Sequence, residues 1–247
     1  IGADGSGIEA RHWVRRSLER AEYEAGGGDC PHIVESHPRM GDLEASLLEA
    51  GCTRGPGLLA GKIPHEHWSY FDSKLDGLRG NSDDCTKLLF ALRETKSDWE
   101  ISMIRESGEV NRSMFEAIRD CGGLGKTELE MAGAADEVSR SSGFGGRIRM
   151  RKWPMDCDRV VIAAGRSGAV PSYFDSAVGG LGASPISSLG AGFAEVRRNE
   201  PVLVDIVHVH RGYVSDCTRM FSAGSLSGDW TSRLDDMVEV GASVVES

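Results

Sequence analysis

The 247-residue sequence lacks closely spaced cysteines, long apolar runs and an excess of basic residues. Its six cysteines are scattered without CxxC spacing, which is typical of reduced thiols in a cytoplasmic protein rather than of a disulfide framework. No apolar run approaches the roughly 18 residues of a membrane span. The formal net charge of −10 argues against nucleic acid as a partner. We therefore expect a cytoplasmic protein that binds neither nucleic acid nor membrane.

Both ends of the sequence lack the signals of complete termini. The first residue is isoleucine rather than methionine, and no signal peptide is visible. The helical pattern that follows Ser227 reaches Ser247 with no Gly, Asn or Pro after it to end the helix. We therefore expect a fragment truncated at both ends. With 40% hydrophobic and 27% charged residues, the chain can form a core in one large or two modest domains.

The segment Val202–Phe221 has the pattern of two strands joined by a tight turn. Its first part is apolar and mostly β-branched apart from Asp205 and His208, and a strand-like pattern resumes after the polar positions 210–212. An Asp is unusual in the middle of a strand, and the neighbours of Asp205 predict burial. A buried carboxylate needs a partner. The hairpin is therefore the first candidate for a functional site.

A two-residue turn at His210-Arg211 would place Asp205 directly opposite Asp216 on the same face of the hairpin. Opposed side chains have Cβ atoms roughly 4.5–5.5 Å apart, so two carboxylates there require a divalent cation or a shared proton. The alternative is a longer turn that leaves both carboxylates solvated. The predicted burial of Asp205 favours a metal. His208 and His210 lie an odd number of residues from Asp205, so they do not share its face. We expect them at the surface or behind the metal ligands.

Capping boxes predict where two helices of the second half begin. Ser97-Asp98-Trp99-Glu100 starts an amphipathic helix that runs to about Asp120, and Thr127-Glu128-Leu129-Glu130 starts another that ends near Ser141. A domain boundary is predicted just before the first box, at Lys96. In the first half, residues 8–24 look helical.

Four segments from this boundary onward form a combined pattern. They read KSDWEISMIRESGEVNRSMFEAI, GLGKTELEM, RVVIAAGRSGAVPSY and NEPVLVDIVHVHRGYVSDCTRMFSAG. In order and spacing they resemble the pita-bread metallopeptidase family, which contains Xaa-Pro dipeptidases, aminopeptidase P, creatinase and methionine aminopeptidases. The first two segments resemble its first long helix and its Gly-x-Thr-Glu turn, the third resembles the strand before its substrate loop, and the fourth resembles its first metal-binding hairpin.

The resemblance implies an α+β fold. Residues 96–247 would form the N-terminal half of a pita-bread (creatinase/aminopeptidase-like) domain whose C-terminal half is missing. Residues 1–95 would be the remnant of a creatinase-like N-terminal domain, the tail of an α/β unit. Family members are often dimers, so the resemblance also implies a homodimer.

The resemblance further implies two divalent metal ions, Mn²⁺ in the first place with Co²⁺, Zn²⁺ or Fe²⁺ as alternatives. The family holds them with two Asp, one His and two Glu. Asp205 and Asp216 match the two Asp ligands, and Thr218 would support them on the same face. The other ligands, including the catalytic Glu, are expected beyond Ser247, so no catalytic residue is assigned within this chain.

The loop after the third segment departs from the family pattern. The stretch from Gly165 to Gly192 is rich in Gly, Ser and Pro, and its position between two strand regions favours ordered loops around a site. Proline-specific members place a substrate-facing His after the Pro of this loop, where Ser172 and Tyr173 stand here. We expect a peptide substrate and an intact parent that cleaves Xaa-Pro bonds, the fragment itself being inactive. The rivals are a creatinase-like amidinohydrolase and a non-catalytic module that binds peptides or proteins.

Overall fold

The computed structural model describes residues 10–26, 32–53, 55–78, 83–145, 148, 158–171 and 178–246. The chain forms two compact units, residues 1–95 and 96–247. Among the described residues, no helix combines the length and apolar character that a bilayer crossing requires.

The first unit contains short helices and two small parallel strand pairs. Its elements are β1 (Arg11–Val14), α1 (Leu18–Glu24), β2 (Ile33–Ser36), α2 (Leu43–Glu49), β3 (Gly57–Leu58), a 3-10 turn (Ala60–Lys62), α3 (His65–Asp72), β4 (Asp83–Asp84) and α4 (Thr86–Leu92). Strand β1 pairs with β2, and β3 pairs with β4. Leu43, Leu75 and Leu78 form the buried centre of a small core.

Residues 11–14 correct the helix predicted over residues 8–24. They form strand β1, whose residue Arg11 pairs with Ile33, and only Leu18–Glu24 is helical. The side chains of Arg11 and Trp13 both donate to a carboxylate oxygen of Glu35 on the neighbouring strand, at 3.1 and 2.6 Å. The physical reason is long-range: a partner strand about twenty residues away supplies these bonds, and local sequence pattern does not register it.

The second unit is built on a three-stranded antiparallel sheet. Its elements are α5 (Asp98–Asp120), α6 (Glu128–Ser141), β5 (Val160–Ala164), a 3-10 turn (Gly165–Ala169), β6 (Pro201–His210), β7 (Tyr213–Ser222) and α7 (Gly228–Glu246). The strand order is β5-β6-β7. Both predicted capping boxes are present, with Ser97 accepting from the Glu100 amide and Thr127 from the Glu130 amide. Helices α5 and α6 therefore begin where the sequence predicts.

The core of this unit lies between the sheet and helices α5 and α6. It contains alternate residues of the central strand, with Val202, Val204 and Ile206 each at most 1% exposed. Apolar side chains of the two helices complete it: Met114, Ile118, Met131 and Ala135. Because strand side chains alternate between faces, odd-numbered residues of β6 lie on the opposite face from the helices.

The β6–β7 hairpin turns one residue later than the sequence analysis expected. Its two-residue turn is Arg211-Gly212, with His210 paired to Tyr213 and positive φ angles of 49° and 88° at the turn residues. Two successive positive φ values are typical of the tight turns that match the twist of a hairpin. Consequently Asp205 pairs with Thr218, and Asp216 pairs with Val207. The predicted direct pairing of Asp205 with Asp216 is wrong.

Candidate metal centre

Asp205 lies in the middle of the central strand β6, on the face that points away from α5 and α6. Its cross-strand neighbours are Val161 on β5 and Thr218 on β7. Val161 is 2% exposed, whereas Asp205 is half-buried. The backbone of Asp205 is therefore held between two strands while its carboxylate remains reachable from solvent.

Asp216 occupies the same face as Asp205, one diagonal step away across the ladder. Moving the turn by one residue shifts every cross-strand partner by two positions. Because side chains on a strand alternate with a period of two residues, Asp216 stays on the face predicted for it. Asp216 is exposed as a residue, but partial burial of its carboxyl raises its pKa, and the charge of Asp205 and a hydrogen bond with Asp205 raise it further. The two side chains therefore lie close enough for the charge of Asp205 to act on Asp216.

Thr218 completes the cluster on this face. Its hydroxyl Oγ1 donates to Oδ1 of Asp205 at 2.5 Å, straight across the ladder. The bond fixes the orientation of the Asp205 carboxylate and leaves Oδ2 for another partner. Orientation of a ligand by a neighbouring donor is a recurrent feature of metal sites.

These residues fit part of a divalent cation site. Two adjacent carboxylates, one with a raised pKa, gain from a cation that neutralises both, and their hard oxygen donors suit Mn²⁺ and similar ions. Within the described ranges, no group of three or more His, Cys, Asp or Glu side chains is arranged to hold a metal ion. Asp205 and Asp216 could therefore supply two ligands of such a centre.

His208 is buried in the core rather than placed at the surface. It is on the opposite face from Asp205, as parity predicted, but that face is covered by α5 and α6 and the residue is 0% exposed. Its Nδ1 shares a hydrogen bond with Ser139 of α6 at 2.9 Å, and Arg159 donates to the same hydroxyl at 3.4 Å. Arg159 in turn forms an ion pair with Asp136 at 2.7 Å. Burial lowers the pKa of His208, and the nearby His210 and Arg159 charges lower it further.

Glu128 holds the Gly-rich loop against the sheet, a role that sequence reasoning missed. This fully buried residue at the start of α6 accepts from the Ala164 amide at 2.7 Å and from the Gly192 amide at 2.8 Å. The signal was present, because Glu128 belongs to the Gly-x-Thr-Glu turn, but that motif does not reveal what the carboxylate binds. A Cβ at Gly190 would lie 3.4 Å from Val161, the β5 neighbour of Asp205. Ordered loop backbone therefore lies beside the carboxylate face.

Ser172 and Tyr173, predicted for the substrate loop, lie outside the described residues. Sequence reasoning also gave no role to Ser107 and Asn111, two buried polar residues of α5. Their signal was their position on the apolar stripe of that helix, where polar side chains are unusual.

Comparison with known proteins identifies the family. A family model described as "Metallopeptidase family M24" matches residues 102–244, more than half of the chain. The chain belongs to metallopeptidase family M24. The matched region contains Asp205, Asp216 and Thr218. No curated protein sequence matches the chain.

Solved structures show that the M24 region has the expected fold. The chain is similar to a prolidase from Pyrococcus horikoshii OT3, with a TM-score of 0.71, 19% identity, and 98% of this chain covering 59% of that one. For the Xaa-Pro dipeptidase from Bacillus anthracis the TM-score is 0.67 at 19% identity, with coverages of 91% and 54%. For the X-Pro aminopeptidase from Thermotoga maritima MSB8 it is 0.65 at 17% identity, with coverages of 92% and 56%. The α+β pita-bread fold is thus confirmed, and the chain spans between half and two thirds of these relatives.

Proposed function

We propose that the intact protein is a dinuclear-metal-dependent peptidase that cleaves Xaa-Pro bonds. The observation that carries the proposal is the Asp205–Asp216 pair, two carboxylates on one face of a hairpin inside the M24 region. The pKa of Asp216, raised first by burial and then by the charge of Asp205, supports it, because a cation would offset both effects. The similar solved structures, a prolidase, an Xaa-Pro dipeptidase and an X-Pro aminopeptidase, support the substrate class.

Residues of this chain would bind and orient rather than transfer protons. Asp205 and Asp216 would each give a carboxylate oxygen to the cations, with Thr218 holding Oδ1 of Asp205. Lewis-acid activation of water and of the scissile carbonyl is the chemistry that two bound divalent cations supply. Carboxylate ligands favour Mn²⁺ in our proposal, with Co²⁺, Zn²⁺ or Fe²⁺ as alternatives. The remaining His and Glu ligands are expected from residues beyond this chain.

The proposal extends to the arrangement of the whole protein. We assign residues 96–247 to the N-terminal half of the pita-bread domain and residues 1–95 to the remnant of a creatinase-like N-terminal domain, a division that coincides with the two compact units. A homodimer and a cytoplasmic location are also part of the proposal. They rest on the family resemblance and on the scattered spacing of the cysteines in the sequence.

A non-catalytic peptide-binding module is the second candidate. The observation that favours it is Ser172, which stands where proline-specific members have a substrate-facing His. A serine there has no imidazole to contact the substrate. A creatinase-like amidinohydrolase would use the same fold on a guanidino substrate.

The test measures metal binding and hydrolysis in parallel. The chain itself should bind Mn²⁺ weakly, in the millimolar range, because two carboxylates are a small part of a ligand set. Asp205→Asn should abolish that binding, and the exposed Asp236→Asn should not. The complete gene product should hydrolyse Xaa-Pro dipeptides in Mn²⁺ and lose this activity with Asp216→Asn. Peptide binding without hydrolysis would support the module instead, and hydrolysis of creatine alone would support the amidinohydrolase.

A further inference from the structure

We propose that Ser107 and Asn111 of helix α5 position the metal ligand Asp216 by fixing the backbone of the residue before it. The inference deepens the proposed function, because it rests on Asp216 being a ligand. Both residues are positioning residues, which contact neither metal nor substrate. Ser107 and Asn111 are four positions apart and therefore lie one turn apart on the same face of α5. Their exposed fractions are 0% and 2%.

The two side chains bind both strands of the hairpin at a single ladder position. The Ser107 hydroxyl donates to the carbonyl of His208 at 3.0 Å and lies 2.7 Å from the Ser215 hydroxyl, with which it shares a hydrogen bond. The Asn111 amide Nδ2 donates to the carbonyl of Ser215 at 3.1 Å. His208 and Ser215 are directly paired across β6 and β7. The helix therefore holds this strand pair by three hydrogen bonds.

The backbone hydrogen bonds of the hairpin do not require a polar residue at Asn111. The Val207 amide donates to the backbone carbonyl of Arg159, just before β5, at 2.7 Å. The backbone groups of Val207 therefore point toward β5 and, by alternation, those of His208 point toward β7. The Ser215 carbonyl accordingly has a ladder partner already, and Asn111 adds a second donor. Meanwhile Oδ1 of Asn111 is buried without a hydrogen-bond partner among the described residues. Such an atom costs stability, so an apolar residue of the same shape would serve the core better.

The consequence of the contact lies at Asp216. The Ser215 carbonyl belongs to the peptide bond that joins Ser215 to Asp216. The side chains of Ser215 and Asp216 point to opposite faces of the strand. Among the described strands, β7 is an edge with β6 as its neighbour, so no second strand holds it on the other side. Helix α5 thus fixes the peptide on the covered face and thereby sets where the Asp216 carboxylate emerges on the metal face. Ligand geometry must hold to about 0.5 Å for tight binding.

The experiment compares Mn²⁺ affinity with thermal stability in the full 247-residue chain. Free Mn²⁺ is followed by its electron paramagnetic resonance signal during titration, and melting is followed by circular dichroism in EDTA. Asn111→Leu keeps the side-chain shape and removes both the donor and the unpartnered Oδ1. Ser107→Ala removes the other contacts and provides a second variant if Asn111→Leu does not fold. Ser139→Ala is the matched control. It also removes a fully buried hydroxyl that binds His208, but this hydroxyl contacts the His208 side chain rather than its backbone carbonyl.

We expect Asn111→Leu to weaken Mn²⁺ binding about fivefold, somewhat less than the roughly 10–100-fold loss known for partners that touch a ligand directly. Its melting temperature should stay equal or rise, so affinity and stability move apart. Ser107→Ala should weaken binding similarly and melt earlier, whereas Ser139→Ala should melt earlier with unchanged affinity. Unchanged affinity in folded Asn111→Leu, or in Ser107→Ala if the former is unfolded, overturns the inference alone. A wild-type chain that binds no Mn²⁺ overturns the proposed metal centre and this inference together.

Discussion

Replacing Asp216 by Asn should stabilise the metal-free chain, although it removes a proposed ligand. The wild-type fold holds two carboxylates on one face. The pKa of Asp216 is raised first by burial of its carboxyl and then by the charge of Asp205, so ionising Asp216 costs free energy in the folded chain. Cross-strand charge pairs contribute roughly 0.2–1 kcal/mol, and a diagonal, partly solvated pair belongs in the middle of that range. We expect a gain of about 0.5 kcal/mol at pH 7, or roughly 1–2 °C in melting temperature for a chain of this length.

The pH dependence of this gain follows from the direction of the shift. A folded-state pKa above the unfolded value of about 3.9 means that the Asp216 penalty is absent in acid and develops as pH rises through the raised pKa. Wild type and Asp216→Asn should therefore differ at pH 7 and converge below about pH 4. High salt should reduce the difference, because part of it is screened charge repulsion.

The assay is thermal or urea unfolding in EDTA at pH 7 and at pH 3.5. Asp236→Asn, an exposed residue of α7, is the matched control because it removes the same charge from a chain with a net charge of −10. Adding Mn²⁺ should stabilise wild type and leave Asp216→Asn unchanged, since only a binding-competent fold gains from ligand. The reasoning is refuted if Asp216→Asn is no more stable than Asp236→Asn at pH 7 in EDTA.

Three further predictions concern the support of this site. Glu128→Gln should lower the free energy of unfolding by about 2 kcal/mol, because the Gln side chain has one acceptor oxygen in place of the two that bind buried N–H groups. In the same urea unfolding assay, Glu137→Gln at an exposed position of this helix should change it by less than about 0.5 kcal/mol. His208→Gln should make stability less dependent on pH between about pH 7.5 and 5.5. Burial lowers the pKa of folded His208, so the wild-type protein should lose stability as pH falls below the unfolded pKa of about 6.5. An equal loss in both proteins would contradict this. Arg211→Asn should raise the unfolding free energy by about 0.5 kcal/mol, because Asn tolerates the positive φ of the Arg211-Gly212 turn better than Arg does, and a lower midpoint in urea would argue against that.

Features that depend on local chemistry were predictable from the sequence. The two capping boxes fixed the starts of α5 and α6, because the Ser or Thr hydroxyl and the Glu carboxylate satisfy amides within four residues of each other. The face shared by Asp205 and Asp216 was also predictable, because a shift of two positions in the strand pairing leaves each side chain on the same face.

Features that depend on distant partners were decided by the tertiary structure. The turn position shifted the hairpin register, and a strand partner from β2 converted residues 11–14 from a predicted helix into a strand. Parity gave the correct side of the sheet for His208, but only the packing of α5 and α6 on that side made it a core residue. The contacts of Ser107, Asn111 and Glu128 join segments far apart in the chain, so residue type alone could not assign them. The sequence by itself thus determined the carboxylate pair and its face, while packing determined the pair's register and how each carboxylate is held.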